Sequence, residues 1–596
     1  MKSKKSEESL DAVRHSLAHL LAAAVRELYP GAQNAIGPAI ENGFYQDFDF
    51  NSADSRGSKR GLTQISENDL PAIEKKMREL LPQWKEWTKK EVTLAQVKKE
   101  FAWNAYKMEL AKEFAKEKKT LTFYICGGFV DLCKGGHSLP LAEIDPKSFK
   151  LDRLAGAYWR GDEKNKMLTR IYGLAFTTKE ELDGYLVMRE EAKKRDHRVL
   201  GERLKLFTFA DEVGPGLPLW LPNGTIIRDE IESYAKEVER AWGYQRVTTP
   251  HIAKEALYRM SGHIPYYADS MYPPMKLDDG NYYLKAMNCP HTHMIYKAEP
   301  RSYRDLPLRF AEYGTVYRYE LSGTLAGLLR VRGFTQNDAH IYCREDQVEV
   351  EFLKVMKLHE FWYRDVFGIN NFYMRLSLPA KDKRKYADIP SGWKKAVEML
   401  RDIMKKSGLP FVEAEGEAAF YGPKVDFQIK SVVGREESAS TNQLDFLATE
   451  RFNLTYTDKD GKEKPVYVIH RAPLGAHERF IAFLIEHFAG AFPLWLSPLQ
   501  VTVLPVSEKF VAYGAKVRDA LQKENIRVEL QHADETLGKR IRAAELMKTP
   551  YVLVVGEKET ANESVNVRHY RRGQEGEIKL EMIIKKIETE VEEKLI

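Results

Sequence analysis

The sequence predicts a multidomain protein of mixed α+β and α/β class. At 596 residues the chain far exceeds what one core serves, so about three to five domains are expected. The text from 215 to 493 is strand-rich with long helices between. From 498 onward, apolar β-branched runs alternate with amphipathic helical stretches, the rhythm of a small α/β domain of about 100 residues. The expected division is 1–178, a connecting helix at 179–205, a central domain at 206–496 and a tail at 497–596.

Composition narrows the class. Hydrophobic residues make up 43% and aromatics 11%, enough for several cores and against global disorder. Lys+Arg number 92 and Asp+Glu 87, a net charge of only +5. That neither demands nor excludes a nucleic-acid partner, because local patches outweigh the sum. Four cysteines (Cys126, Cys133, Cys289 and Cys343) are too few for a disulfide scaffold at this length, so reduced thiols and a cytoplasmic setting are expected. The opening MKSKKSEESLDAV lacks a signal-peptide core. The apolar run at 480–496 carries Glu486 and His487 and ends after Pro493, so it reads as a buried helix and no membrane partner is expected.

In chain order, 10–28 places Leu17, Leu20, Leu21 and Val25 at helical spacing and stops at Tyr29-Pro30-Gly31. A turn at Asn42-Gly43 leads into a strand at 44–48, and 51–64 reads as a solvated loop. Charged helices are expected at 71–81 and 96–118, and a β-branched strand at 120–126. The run EEAKKRDHR inside 179–205 reads as a solvated connecting helix. Long helices follow at 227–242 and 346–367. The tail alternates a strand at 501–505, a helix, a strand at 526–530, a second helix and a strand at 551–556.

Several clusters could carry chemistry. His15 and His19 share a helix face, and Cys133 and His137 bracket two glycines in CKGGH; four such groups could clasp zinc. HSLAH lacks the Glu of H-E-x-x-H, and partly buried packing remains open. In the centre, YRYE and LLRVRGFTQNDAH interleave arginines and acids over a strand–turn–strand. Arg318 and Arg330 suit a polyphosphate, since a guanidinium binds it bidentately, although a hairpin laced with ion pairs is equally allowed. HRAPLGAHER runs from a strand through a glycine turn into a helix and delivers Arg479 at its start. Cys289, in MNCPH, has no close metal-spaced partner, so spacing alone shows no zinc site there.

In order, MNCPH, YRYELSG, RVRGFTQNDAHIYC, FYGPK, NQLDF and HRAPLGAHERF resemble the class II aminoacyl-tRNA synthetases, and among them the threonyl-tRNA synthetase family, over nearly the whole chain. The resemblance implies an antiparallel class II sheet with flanking helices, an N-terminal α+β editing domain and a C-terminal α/β anticodon-binding domain. It implies a homodimer through the helix from Ile227 and the strand that ends at Pro250. Arg318 would meet the α-phosphate of ATP, Glu320 the adenine amine, and Arg330 and Arg479 the outgoing phosphates, with Mg²⁺.

Further implications concern the amino acid. One Zn²⁺ per subunit would be held by Cys289, His340 and His470, leaving open positions for the amine and β-hydroxyl of L-threonine. Gln336, Asp338, Tyr421 and Gln443 match positions around the amino acid, Lys424 lies near the substrates, and His263 matches a histidine of the transfer step to tRNA(Thr). Serine differs from threonine by one methyl, worth only about 1–3 kcal/mol, so a second sieve is needed. His15, His19, Lys107, Asp131, Cys133 and His137 match the editing pocket, expected to orient water against the ester of Ser-tRNA without metal; a related alanine-enzyme domain uses similar groups for zinc. Asp534, Glu559 and Arg568 match anticodon-reading positions.

Two departures stand out. The small ubiquitin-like domain that usually opens the family is expected to be missing, which bears on tRNA contacts and editing. Ser438 and Ala439 stand where a Gln-Cys pair is usual. Rival readings are a silent RNA-binding paralogue, a proline or serine synthetase, and a zinc hydrolase built on HSLAH.

Overall fold

The computed structural model describes residues 2–50, 65–137, 141–380, 386, 389–431, 434 and 436–596, with the backbone alone for 2–9 and 142. The loop expected at 51–64 lies outside these. The chain divides into two compact units, Met1–Arg189 and Glu190–Ile596.

In the first unit, helix Lys2–Leu28 lays Leu17, Leu20, Leu21 and Val25 against Phe44 and Phe48 of strand Gly43–Asp49 and against Ile73 and Met77 of helix Leu70–Leu80. The strand sits in a five-stranded antiparallel sheet with Gln33–Asn34, Ala39–Ile40, Met167–Ala175 and Phe149–Tyr158. A second sheet joins Thr88–Val92, Leu121–Cys126 and Phe129–Leu132.

The single helix expected at 96–118 is two, Leu94–Phe101 and Ala105–Lys116. Asn104 breaks it: its backbone is extended and its side chain accepts from the Lys107 amide at 3.0 Å, restarting the helix with a cap. The connecting helix expected at 179–205 is likewise two, Lys179–Arg195 and His197–Arg203. Asp196 leaves helical geometry and accepts from the Arg198 amide at 2.8 Å. Nor is the second piece solvated, since His197 and Leu200 are buried.

The second unit is built on an eight-stranded sheet in the order Gln245–Arg246, Leu308–Tyr317, Gly333–Cys343, Tyr467–Ala472, Glu436–Asp445, Lys424–Lys430, Phe372–Leu378, Phe411–Glu415. The outermost pair at each edge is parallel and every other pair antiparallel. Helices Pro222–Ala241, Val348–Glu360 and His477–Phe488 bury Ile227, Ile231, Phe352, Val355, Ile481 and Leu484 in the core of this unit. The apolar run expected as one buried helix at 480–496 is helical only to Phe488. Ala489, with φ of 51°, turns the chain, and buried Trp495 follows in a short 3-10 turn.

The tail forms a five-stranded sheet, ordered Val528–Leu530, Val501–Pro505, Tyr551–Val555, Ser564–His569, Gly573–Lys579, its first three strands parallel. Arg527 ties it to the large sheet's helices. Its guanidinium pairs with Glu230 at 2.5 Å and donates to the Trp495 and Ser497 carbonyls.

Candidate functional site

Strand periodicity assembles the central site. Gln336, Asp338 and His340 alternate along one strand and so share a face, as do Thr441, Gln443 and Asp445 on another. Across the sheet, His340 sits opposite His470, His470 opposite Gln443, and Gln443 opposite Lys424. A cavity of about 740 Å³ opens over this row, lined among others by Cys289, Arg318, Gln336, Asp338, Tyr421, Lys424, Gln443 and His470.

Cys289, first residue of helix Cys289–Lys297, brings its thiol to the two imidazoles. One ligand atom from each of Cys289, His340 and His470 lies within 4.8 Å of the others, and all three residues are buried. Nε2 of His470 meets Asp445 Oδ2 at 2.9 Å, while Nε2 of His340 is buried with no hydrogen-bond partner among the described residues. Burial, then the neighbouring His470, drives His340 well below the ordinary histidine value and leaves a neutral imidazole. Burial pushes the Cys289 thiol well up, although a bound divalent cation deprotonates a thiol outright. Burial alone would raise Asp445, but the His470 hydrogen bond outweighs it and holds the carboxylate below its usual range. One thiol and two imidazoles, one oriented by a carboxylate, fit a zinc ion. His293, Asp445 and His470 form an overlapping trio, but His293 Nδ1 is already bonded to the Tyr342 hydroxyl at 2.9 Å.

Polar groups around the cavity are held in place. Asn288 donates to Asp338 at 3.0 Å, the Tyr421 hydroxyl donates to Gln443, and Lys424 pairs with Asp426 at 2.8 Å. Arg318 donates to the Ala286 carbonyl at 3.2 Å with its guanidinium near the Phe334 and Tyr267 rings. Glu320, Arg330, Arg479, His340 and His263 do not line the cavity. Glu320 and Arg330 pair with each other at 2.9 Å, and Arg479 donates to the Leu329 carbonyl at 3.2 Å. Burial lowers Arg479 below its ordinary value, and the like charges of Arg318 and Arg330 add to the effect, so the three cations share one region. His263 accepts or donates at Nδ1 with Ser261 at 2.8 Å, and burial takes it down to about 3. Ser438 accepts from Arg375 at 3.0 Å and from Gln428 at 2.7 Å.

In the first unit, His15, His19, Cys133 and His137 also lie with ligand atoms within 4.8 Å of one another. Cys133 Sγ is 3.1 Å from His15 Nε2. Asp131 binds His19 Nδ1 at 2.9 Å, Lys107 at 2.7 Å and Asn34 at 3.2 Å. His19 Nε2 is buried without a hydrogen-bond partner among the described residues. Burial opposes the charge on His19, but the hydrogen bond to Asp131 and the nearby Cys133 sulfur outweigh it and raise the imidazole to about 9. Burial likewise opposes a Cys133 thiolate, yet three imidazoles lower it to about 3. His137 is sandwiched between Trp87, at 4.0 Å, and His15, at 4.7 Å.

The three tail positions are not brought together by contacts. Glu559 accepts from its own helix cap at Gly556, Arg568 pairs with Glu545 at 2.8 Å, and Asp534 lies in the loop before helix Leu537–Leu546.

Sequence reasoning missed Asp445, Asn288, His293, Asn34 and Trp87. Asp445 was findable: it ends NQLD two residues after Gln443, hence on the same strand face.

Comparison with known proteins agrees in order along the chain. Residues 121–172 match the threonyl and alanyl tRNA synthetase second additional domain, 274–488 the class II tRNA synthetase core domain (G, H, P, S and T), and 500–590 an anticodon binding domain. A threonine–tRNA ligase of Geobacillus sp. (strain WCH70) is 47% identical over 588 residues, covering 98% of this chain and 89% of the relative. Threonine–tRNA ligase 1 of Bacillus subtilis (strain 168) is 47% identical with the same coverage. The crystal structure of the RNA binding domain of threonyl-tRNA synthetase from Cryptosporidium parvum Iowa II superposes with a TM-score of 0.63 at 35% identity, covering 66% of this chain and 98% of that one. A thiol and two imidazoles under a polar cavity, three cations beside it and these relatives lead to one assignment: the chain belongs to the threonine–tRNA ligase family of class II aminoacyl-tRNA synthetases.

Proposed function

We propose that the second unit joins L-threonine to ATP, giving threonyl-adenylate and pyrophosphate, and passes the threonyl group to the 3′ end of tRNA(Thr). The observation that carries the reading is the Cys289–His340–His470 trio beneath a cavity lined by Gln336, Asp338, Tyr421 and Gln443. Zinc, when bound there, supplies a Lewis acid that favours a β-hydroxy amine over valine, which has no oxygen to offer. Asp338 and the Tyr421–Gln443 pair orient the amino acid. Arg318, Arg330 and Arg479 neutralise the phosphates, together with Mg²⁺, and Glu320 meets adenine once released from Arg330. Lys424 assists near the substrates, and His263, kept neutral, serves the transfer step.

The first unit removes serine. Asp131 fixes His19 through Nδ1, so Nε2 is the atom presented to the ester of Ser-tRNA, while Cys133, His15, His137 and Lys107 complete a polar pocket that orients water. The tail would read anticodon bases through Asp534, Glu559 and Arg568. Helix Pro222–Ala241 would form the twofold interface of a homodimer working in the cytoplasm. Among the described residues, no helix is long and apolar enough to cross a membrane.

The test is ATP–pyrophosphate exchange with threonine, serine, valine and proline. Threonine is expected to support the fastest exchange, serine a weaker one, and valine and proline none; exchange driven best by proline overturns the reading.

A further inference from the structure

We infer that His197 is a positioning residue for the ATP-side loop, which it holds through a hydrogen bond from the Leu328 amide; the inference rests on the reading of that loop given above. His197 opens helix His197–Arg203 and is 3% exposed. Its Nδ1 lies 2.8 Å from Oε1 of Glu486, a buried residue of helix His477–Phe488. A carboxylate oxygen only accepts a hydrogen bond there, so Nδ1 carries the proton and donates, and Nε2 is left to accept. The Leu328 N–H supplies that bond at 3.1 Å.

The loop closes tightly on this ring nitrogen. Gly327 takes a φ of 52°, and a Cβ added to it would run into His197 Nε2. Leu328 is fully buried in the same core as Leu200 of the His197 helix and Leu204 just after it. The next two residues carry the groups of interest. The Leu329 carbonyl accepts from Arg479 at 3.2 Å, and Arg330 pairs with Glu320 at 2.9 Å while its carbonyl accepts from the Ala326 amide at 3.2 Å. One imidazole nitrogen therefore sets the loop apex from which the Arg479 and Arg330 contacts hang. The stretch that a charge-run reading takes for solvated surface contains the residue that links two helices to this loop.

The experiment is ATP–pyrophosphate exchange by wild type, His197→Asn and His197→Gln, varying ATP and threonine separately. An Asn amide can still donate to Glu486 but offers nothing at the Nε2 position, whereas the Gln carbonyl reaches that position and can accept from Leu328. Losing one such hydrogen bond is expected to raise KM for ATP about three- to tenfold in His197→Asn, with KM for threonine moving less than about twofold. His197→Gln should recover most of that loss. An unchanged KM for ATP, an equal loss for both substrates, or the same loss in both variants overturns the inference. Should His197→Asn fail to fold, Gly327→Ala pushes the loop off the ring while keeping His197 and its Glu486 bond, and should show the same ATP-selective loss; a wild-type KM for ATP in that variant overturns the inference. Wild-type protein without threonine-dependent exchange sinks the proposed function itself, whereas a normal wild type with unaffected variants sinks only the role of His197.

Discussion

His340 and His470 face each other in register across two antiparallel strands, their ring centroids 4.7 Å apart in an edge-on arrangement. Two imidazoles so placed, with a thiol beside them and one Nε2 lacking a hydrogen-bond partner among the described residues, leave a donor set that fits a soft divalent ion. Replacing Cys289 with Ser is expected to reduce copurified zinc to background by atomic emission and to abolish threonine-dependent exchange. Full zinc content with full activity in this variant would remove the metal from the account.

Asp445 binds His470 rather than the cavity, so its effect should appear in affinity before chemistry. Asp445→Asn is expected to weaken zinc retention about tenfold to hundredfold, read as the chelator concentration that strips the protein. An unchanged stripping curve would show that the carboxylate does not tune the site.

Cys133 offers a pH test. With its value lowered to about 3, it stays a thiolate where an ordinary thiol, at 9.0, is protonated. Alkylation by iodoacetamide, mapped by peptide mass spectrometry, should therefore remain nearly flat at Cys133 from pH 8 down to about pH 5. Cys126, raised to about 11 by burial, should stay unlabelled. A tenfold fall per pH unit at Cys133 contradicts the charged cluster. Stability follows the same signs. The Cys133 contribution is present above 9.0 and is lost as pH falls toward about 3, whereas that of His19 is present below 6.5 and is lost as pH rises through about 9. The two offset each other between 6.5 and 9, and only the acid-side loss remains below.

His19→Ala should leave threonylation intact yet slow hydrolysis of Ser-tRNA by about a hundredfold, the scale of a lost acid–base group. Acid-gel analysis of charged tRNA would then show the serine ester accumulating. Deacylation at the wild-type rate would take His19 out of the pocket.

Arg527 is one tie between the tail and the helices of the large sheet. Its ion pair with Glu230 is partly exposed and counts for little, but two carbonyl bonds go with it. Arg527→Ala is expected to cost about 1–2 kcal/mol and to separate a tail transition from the main one in calorimetry. A single, unshifted transition would mean that the joint lies elsewhere.

Motifs with fixed period were legible in the sequence. The helix spacing of His15 and His19 held, whereas Gln336, Asp338 and His340 came from the family resemblance, and the strand that sets them on one face is seen in the structure. Breaks were not legible, because they depend on one capping side chain: Asn104 and Asp196 each interrupt text that reads as a single helix. Burial of charged text was hidden for another reason. His197 sits in RDHR, and partners far along the chain, Glu486 and the Leu328 amide, make it a core residue. Cys289 showed nothing by spacing, since its neighbours at the site come from two strands far along the chain.

That separation governs when the site can come into being. Residues 289, 340 and 470 are donated by a helix start and by two strands that become neighbours only after the intervening chain has been made and the sheet has zipped. During synthesis, no ion can be captured by all three groups until the ribosome has passed residue 470. Whatever free energy an ion held there contributed would be spent on clasping those strands together, so such a metal would act as a late rivet for the large sheet and leave the first unit free to fold beforehand.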